Sequence, residues 1–318
     1  MTNIIKRPLI ALTGPTAVGK SELSIALAKE IGGAIISADS MQVYRYMDIG
    51  SAKIKVEQMQ GIPHYLIDEF MPDEEFHVVK FQEYAKRYLE EIYANGQIPI
   101  LVGGTGFYIQ ALLYDIDFTE QKEDKAYREE LEVLAKEHGN EYLHRRLKEV
   151  DKVSAETIHP NNRKRLIRAL EFYEKTGKRI SEHNEAERKK ESPYNYAYLV
   201  LNDDRAKIYE RIDTRVDQML EEGLIEEVKH LKEMGYTRDM VSMQGLGYKE
   251  ILDYLNGNCT LEEAVYILKR DTRHFAKRQL TWFRRERDVI WIDKSEFFYD
   301  HEKILGQIKK ELMERKII

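Results

Sequence analysis

Residues 9–40 read LIALTGPTAVGKSELSIALAKEIGGAIISADS, and this stretch decides the fold. Leu9–Thr13 is a short apolar run closed by Gly14-Pro15, the mark of a buried strand. Ser21–Ile31 repeats apolar residues at helical spacing and stops at Gly32-Gly33, a natural helix exit. Ala34–Ala38 is a second buried strand. Between the first strand and the helix, Gly14-Pro15-Thr16-Ala17-Val18-Gly19-Lys20-Ser21 matches GxxxxGK[ST] in full and in the context that motif requires. Glycines let backbone N–H groups turn toward a phosphate, and the helix N-terminus adds partial positive charge. Lys20 supplies a point charge, and Ser21 is placed to ligate Mg²⁺. The loop implies a polyphosphate or diphosphate ligand and leaves open whether that ligand is a nucleotide.

Working outward, Val78–Tyr93 is helical in period, Ile98–Val102 is a third strand, and Tyr196–Leu201 and Val289–Ile292 are two more. Short strands alternating with helices predict an α/β fold: a P-loop parallel sheet wrapped by helices, with ligands at the carboxyl ends of the strands. From Glu120 to Glu191 the sequence is charged and helical with almost no strand signal. The expected organisation is a core of 1–117 and 195–318, its C-terminal part helical, interrupted by a helical insertion at 118–194. Glu185–Ser192 (EAERKKES) reads as a polar, mobile hinge.

Asp39 follows the second strand directly, so it is expected beside the loop. It could cap the next segment, hold Mg²⁺ through water, or act as a general base on an acceptor opposite the phosphates. Position alone does not separate these. Gly103-Gly104-Thr105-Gly106 follows the third strand and is equally consistent with a plain turn or a binding loop.

The 318 residues leave room for roughly two domains of ~150 each. At 42% hydrophobic and 33% charged, the chain fits neither a collagen-like nor a disordered class. One cysteine, Cys259, excludes intrachain disulfides and multi-thiolate zinc sites. The N-terminal run leads straight into the loop motif and does not read as a signal peptide. No stretch approaches the ~20 apolar residues of a membrane span, so the expected setting is a reduced cytoplasm with no membrane partner.

Net charge is −6, so no global field advertises nucleic acid. Positive charge is nevertheless concentrated. His159–Arg168 (HPNNRKRLIR) has four Lys/Arg and no acid, and Lys269–Arg287 has eight Lys/Arg and two acids, interleaved with Phe275, Trp282 and Phe283. Such patches contact phosphates, and aromatics can stack bases, although a charge run is more often a solvated helix face. A small-molecule or nucleoside kinase and a non-catalytic RNA-binding NTPase share the loop, but a kinase leaves these patches unexplained.

Taken in order, GPTAVGKS, DSMQVYRYMDIGSAK (Asp39–Lys53), PHYLID (Pro63–Asp68), VGGTGFYIQALL (Val102–Leu113), HPNNRKRLIRALE (His159–Glu171), QGLGYKE (Gln244–Glu250) and RQLTWFRRE (Arg278–Glu286) resemble the tRNA dimethylallyltransferases, the bacterial adenosine-37 isopentenyl-type transferases. Eukaryotic members carry a C-terminal C2H2 zinc finger, for which a single cysteine leaves no room. The resemblance implies transfer of a dimethylallyl group from dimethylallyl diphosphate to N6 of adenosine 37. The loop Gly14–Ser21 would hold the donor's diphosphate, with Mg²⁺ on Ser21. A helical insertion would help grip the anticodon stem-loop.

By the same resemblance Asp39 is the base, and Thr16 contacts the oxygen bridging donor carbon and diphosphate. An arginine of 205–220 joins the diphosphate, Arg215 being preferred and Arg211 held in reserve. The stretches expected to face tRNA are Asp39, Ser40, Met41 and Gln42; Thr105; Arg128; Arg163, Lys164, Arg165, Leu166 and Ile167; and Gln244, Gly245, Leu246, Gly247, Tyr248 and Lys249. A monomer is the expected state.

Overall fold

The computed structural model describes residues 6–118 and 124–318; Glu120, where the charged helical stretch is expected to begin, lies outside them. Six strands, β1 (Pro8–Thr13), β2 (Gly33–Ser37), β3 (His64–Tyr65), β4 (Ile98–Gly103), β5 (Asn195–Asn202) and β6 (Val289–Asp293), form one sheet. Its order is β3-β2-β4-β1-β5-β6, and every pairing is parallel. Leu9, Ile10, Ala11 and Leu12 are fully buried because a parallel sheet is covered on both faces, which is why β1 reads as an unbroken apolar run.

The first helix, Lys20–Ile31, lays Leu23 and Leu27 on this sheet beside Ile304, Ile308 and Leu312 of the C-terminal helix His301–Glu314. It stops at Gly32, whose φ of 64° is left-handed and whose N–H returns to the Ala28 carbonyl. The five longer strands occur where sequence patterning predicts them. β3 does not show in the pattern, because a strand of only two residues has no period.

Strand order sets where a ligand can enter. The chain leaves β1 toward β2 on one side, and leaves β4 toward β5 on the other. β1 and β4 are neighbours, paired Ile10 to Ile100 and Leu12 to Val102, so their loops diverge and open a crevice between them. The phosphate loop follows β1, and Gly104–Gly106 follows β4.

The chain divides into two compact units, Met1–Leu113 with Pro193–Ile318, and Tyr114–Ser192. The second unit is helical: Lys125–His138, Asn140–Val150, Lys152–Thr157, Arg163–Thr176 and Ile180–Lys189. Their apolar stripes meet in a core of Leu131, Leu143, Leu147, Leu166, Leu170 and Phe172. Asp151, almost fully buried, accepts hydrogen bonds from the N–H and hydroxyl groups of both Ser154 and Ser181. Burial alone would raise its pKa, but these donors hold it below the ordinary carboxylate value. The expected hinge at Glu185–Ser192 is corrected in part: Glu185–Lys189 completes a helix. Glu187 is buried there, accepting the Asp117 N–H and pairing with Lys190. Its polarity reads as linker, yet its charges are satisfied within the helical unit.

Candidate active site

At the carboxyl edge of the sheet lies a cavity of about 610 Å³ lined by five segments. The phosphate loop contributes Thr16, Ala17, Gly19, Lys20 and Ser21; the β2 exit contributes Asp39 and Gln42. Val102 and Gly103 come from β4, and Arg211, Thr214, Arg215 and Gln218 from the helix Arg205–Glu221. Ser51 and Ala52 close another side. Thr16, Ala17, Gly19, Lys20 and Ser21 of the loop thus face one space with Asp39.

The loop's geometry follows from its glycines. Gly14 has φ 146°, and a Cβ there would lie 2.6 Å from the Leu201 carbonyl oxygen, so only glycine fits. Gly19, at φ 94°, turns the chain into the helix. Val18 is buried and Pro15 has no N–H, so both shape the loop without offering a donor side chain. Lys20 Nζ donates to the carbonyls of Gly14 and Pro15 at 3.0 and 2.8 Å. Burial pushes its pKa down to about 8, against the pull of Asp39 and with the help of nearby Arg215.

That value makes the loop's affinity for an anion pH-dependent. A phosphate's second ionisation, near 6, is complete above pH 7, so between pH 8 and 10 only the protein changes charge. The dissociation constant of a diphosphate ligand should rise with pH there, by up to about tenfold per unit until the complex itself deprotonates. Titration calorimetry on the parent and on Lys20→Met checks this; a constant affinity in the parent would remove Lys20 from the anion's shell.

Asp39 Oδ1 accepts the Met41 N–H at 2.9 Å, so the capping role and a functional one are compatible. No protein donor contacts Oδ2 among the described residues. The helix Arg205–Glu221 separates the two candidate arginines. Arg211 is ion-paired with Asp203, whose side chain is fully buried and also accepts from Tyr299. Arg215 has no ion-pair partner within reach among the described residues, and burial lowers its pKa, opposed by Asp39 and Glu222. Of the two, Arg215 carries the charge left for a ligand.

Other expected contacts divide clearly. Ser40, Met41 and Thr105 do not line the cavity, though each adjoins it in sequence within two residues of Asp39 or Gly103. Met41 and Gly245 do come together: a Cβ on Gly245 would lie 2.4 Å from the Met41 methyl. Four assignments to a tRNA-facing surface are corrected. Leu166 and Ile167 are buried in the helical unit's core, Gly247 is buried, and Tyr248 is fully buried. The Tyr248 hydroxyl donates to Glu227 and accepts the Ser51 N–H. The same carboxylate takes the N–H groups of Asp48, Ile49 and Gly50. Tyr248 therefore holds the 48–52 wall in place.

Arg128 is bound through Nε and Nη2 by Glu171, and Arg163 by Asn140 and Glu132. Gln244 is exposed and donates to the Arg238 carbonyl, Leu246 is half-buried, and Lys249 pairs with Glu250. Lys164 and Arg165 are exposed. In the long helix Leu261–Phe283 the basic run splits. Lys269, Arg270 and Arg273 are ion-paired with Asp217, Asp271 and Asp213. Lys277, Arg278, Arg284 and Arg285 are exposed without a carboxylate partner among the described residues. Phe283 is fully buried, while Trp282 packs where a Cβ on Gly106 would lie 2.2 Å from its ring.

One residue was missed altogether. Gln279 is buried, its Oε1 accepting the Thr16 N–H at 2.9 Å and its Nε2 donating to the Gly104 carbonyl at 3.0 Å. Its signals in the sequence are its place in the RQLTWFRRE stretch and a polar residue on the otherwise apolar face of a helix.

No three His, Cys, Asp or Glu residues among those described cluster to hold a metal unaided. Ser21 and Asp39 do present hard oxygens to the cavity, which suits a Mg²⁺-type ion that takes most of its ligands from phosphates and water. No helix among the described residues is long and apolar enough to cross a membrane.

A family model described as IPP transferase matches residues 42–286. The tRNA dimethylallyltransferase of Lachnoclostridium phytofermentans is 64% identical over 98% of this chain and 99% of its own. That of Acetivibrio thermocellus is 54% identical over 95% and 96%. Among solved structures, the full-length tRNA isopentenylpyrophosphate transferase of Bacillus halodurans superposes with a TM-score of 0.73 at 46% identity, covering 98% of both chains. A eukaryotic dimethylallyltransferase acting on tRNA superposes at 0.78 with 32% identity, over 90% of this chain and 74% of that one. With a parallel sheet carrying the phosphate loop, a cavity joining that loop to Asp39, and this span of similarity, the chain belongs to the IPP transferase family.

Proposed function

We propose that the protein transfers a dimethylallyl group from dimethylallyl diphosphate to N6 of adenosine 37 of tRNA, with release of diphosphate. The observation that carries this is one cavity lined both by the cationic groups Lys20 and Arg215 and by the carboxylate Asp39. A kinase would use the same cations and could use the carboxylate too; the reading as an alkyl transferase is favoured over it by the similarity to tRNA dimethylallyltransferases along nearly the whole chain.

The residue chemistry follows. Adenine N6 attacks poorly because its lone pair is delocalised into the ring. Asp39 takes a proton from N6 as the C–N bond forms, which lowers the barrier. As the allylic C–O bond breaks, charge builds on the departing diphosphate. Lys20, Arg215 and the loop's N–H groups stabilise it, and Thr16 contacts the bridging oxygen. Ser21, with Asp39 nearby, would hold a divalent ion that neutralises the diphosphate when bound. Turning adenine out of its stack costs a few kcal/mol, least in an already single-stranded loop.

Contact with tRNA is assigned to Lys164 and Arg165 of the helical unit and to the unpaired end of the long basic helix. Replacing Lys164 and Arg165 together by alanine should shallow the log–log salt dependence of tRNA binding by about 1.4 to 1.8 units, since each lost phosphate contact removes ~0.7 to 0.9. Lys277→Ala with Arg278→Ala should do the same, and donor affinity should stay constant in both. An unchanged slope in both double variants would place the tRNA on another surface. For the activity itself, labelled dimethylallyl diphosphate, Mg²⁺ and unmodified tRNA should yield labelled tRNA in stoichiometry with released diphosphate. ATP turnover without prenyl transfer would support the kinase instead.

A further inference from the structure

Gln279 does something that neither the loop motif nor the chemistry above requires. Its amide joins two loops that flank the crevice between β1 and β4, and it does so from the buried face of the long basic helix. The fit is close. A Cβ on Gly104 would lie 2.1 Å from Gln279 Nε2 and 3.5 Å from the Gly14 carbonyl oxygen, so the glycine exists to let the amide in. That same Gly14 carbonyl accepts from Lys20. Gln279 thus ties Thr16 to Gly104, within the same loop whose Gly14 carbonyl holds Lys20.

The bond also reassigns a donor. In a phosphate loop the backbone N–H groups turn toward the anion, but the Thr16 N–H is committed to Gln279. This fixes the backbone of Thr16, which lines the cavity, and leaves the anion to the N–H groups from Ala17 onward. Because the amide is a donor at one end and an acceptor at the other, only a neutral Gln satisfies both loops. A buried carboxamide with both ends satisfied stiffens its surroundings, and one end broken leaves an unpaired polar group.

From this we infer that Gln279 is a positioning residue for the transfer: it fixes the loop that holds the donor's bridging oxygen against the loop after β4, at the distance the reaction needs. The inference rests on reading the cavity as the prenyl-donor site. Gln279 touches neither reactant; it acts through Thr16 and Gly104. Its loss leaves binding groups in place and lets the two loops drift, and a misplacement of about 1 Å is enough to cost ~10²-fold in rate.

A drifting donor is also open to water. In transfer, the allylic C–O bond breaks with its electron pair going to diphosphate, N6 supplies the new pair to carbon, and its proton goes to Asp39. In the competing hydrolysis the same bond breaks, a water oxygen supplies the pair, its proton goes to solvent, and dimethylallyl alcohol forms.

The test uses the full chain with Gln279→Met, similar in shape with no amide, and Gln279→Glu, which keeps the acceptor for Thr16 but sets an oxygen against the Gly104 carbonyl. Single-turnover transfer at saturating donor and tRNA, equilibrium affinities for both, melting temperature and the ratio of alcohol to prenylated tRNA are measured. The expected result is a rate loss of about 10²-fold in Gln279→Met, with affinities within about threefold and a raised alcohol ratio, and a rate loss at least as large in Gln279→Glu, whose buried carboxylate opposes the Gly104 carbonyl. Transfer within threefold of the parent in both variants overturns the inference. So does a loss that merely follows the unfolded fraction, or that lies wholly in binding, in whichever variant folds. If the parent itself transfers no prenyl group, the failure belongs to the underlying reading of the cavity.

Discussion

Asp39→Asn and Asp39→Ala are each expected to slow single-turnover prenyl transfer by ~10² to 10⁴-fold, the range general-base catalysis supplies, while leaving donor affinity intact. The pairing of variants matters. Asn keeps an oxygen for the Met41 N–H that Asp39 Oδ1 accepts at 2.9 Å, so it preserves the turn but cannot take a proton. Should Asp39 act only as a cap, Asn would be close to the parent and Ala alone would suffer. Donor affinity should change little, because two contributions oppose. Removing Asp39 takes a negative charge out of the cavity, but it also removes the carboxylate that favours the charged forms of both Lys20 and Arg215. Rapid-quench transfer assays and calorimetry separate the two effects. Near-parent turnover in the Asn variant would remove the base assignment.

Lys20→Ala should behave differently, weakening donor binding and slowing transfer together. Its ammonium meets charge present in the bound donor and increased in the transition state, so the loss appears in both KM and kcat. Removal of a single preorganised charge stabiliser costs ~10² to 10³-fold in kcat, or about 3–4 kcal/mol at ~1.4 kcal/mol per tenfold. The tRNA salt dependence should not move, because Lys20 is folded against the carbonyls of Gly14 and Pro15 inside the loop. Unchanged kinetics in this variant would mean that the loop holds something other than the leaving group.

The fold was legible where local pattern carries it. The apolar run Leu9–Thr13, the glycine exit at Gly32 and the loop between them specify a strand, a helix and their connection, because each is a contact between residues near in sequence. Strand order is different: β1 lies between β4 and β5, a pairing of residues about 90 and 190 positions away that no periodicity encodes. For the same reason Gln279, 263 residues from Thr16, leaves only a faint trace. Arg215 is preferred over Arg211 in the sequence only through the resemblance; what local pattern does not show is that Asp203, eight residues before Arg211, is buried and ion-paired with that side chain. Leu166, Ile167 and Tyr248 are expected to face tRNA only because the resemblance covers their whole stretches, and they are buried. Amphipathic packing puts alternate faces of one stretch in the core and in water, so a motif's neighbours need not share its role.

The central claim is that this cavity delivers a prenyl group to one amine of one nucleotide. The direct measurement compares two otherwise identical unmodified tRNA transcripts, one with adenosine and one with guanosine at position 37, each incubated with labelled dimethylallyl diphosphate and Mg²⁺ and then digested to nucleosides for mass spectrometry. Label is expected only in the adenosine-37 transcript, as N6-dimethylallyladenosine, with one diphosphate released per group transferred. Equal labelling of both transcripts, or label on any other atom, would contradict it.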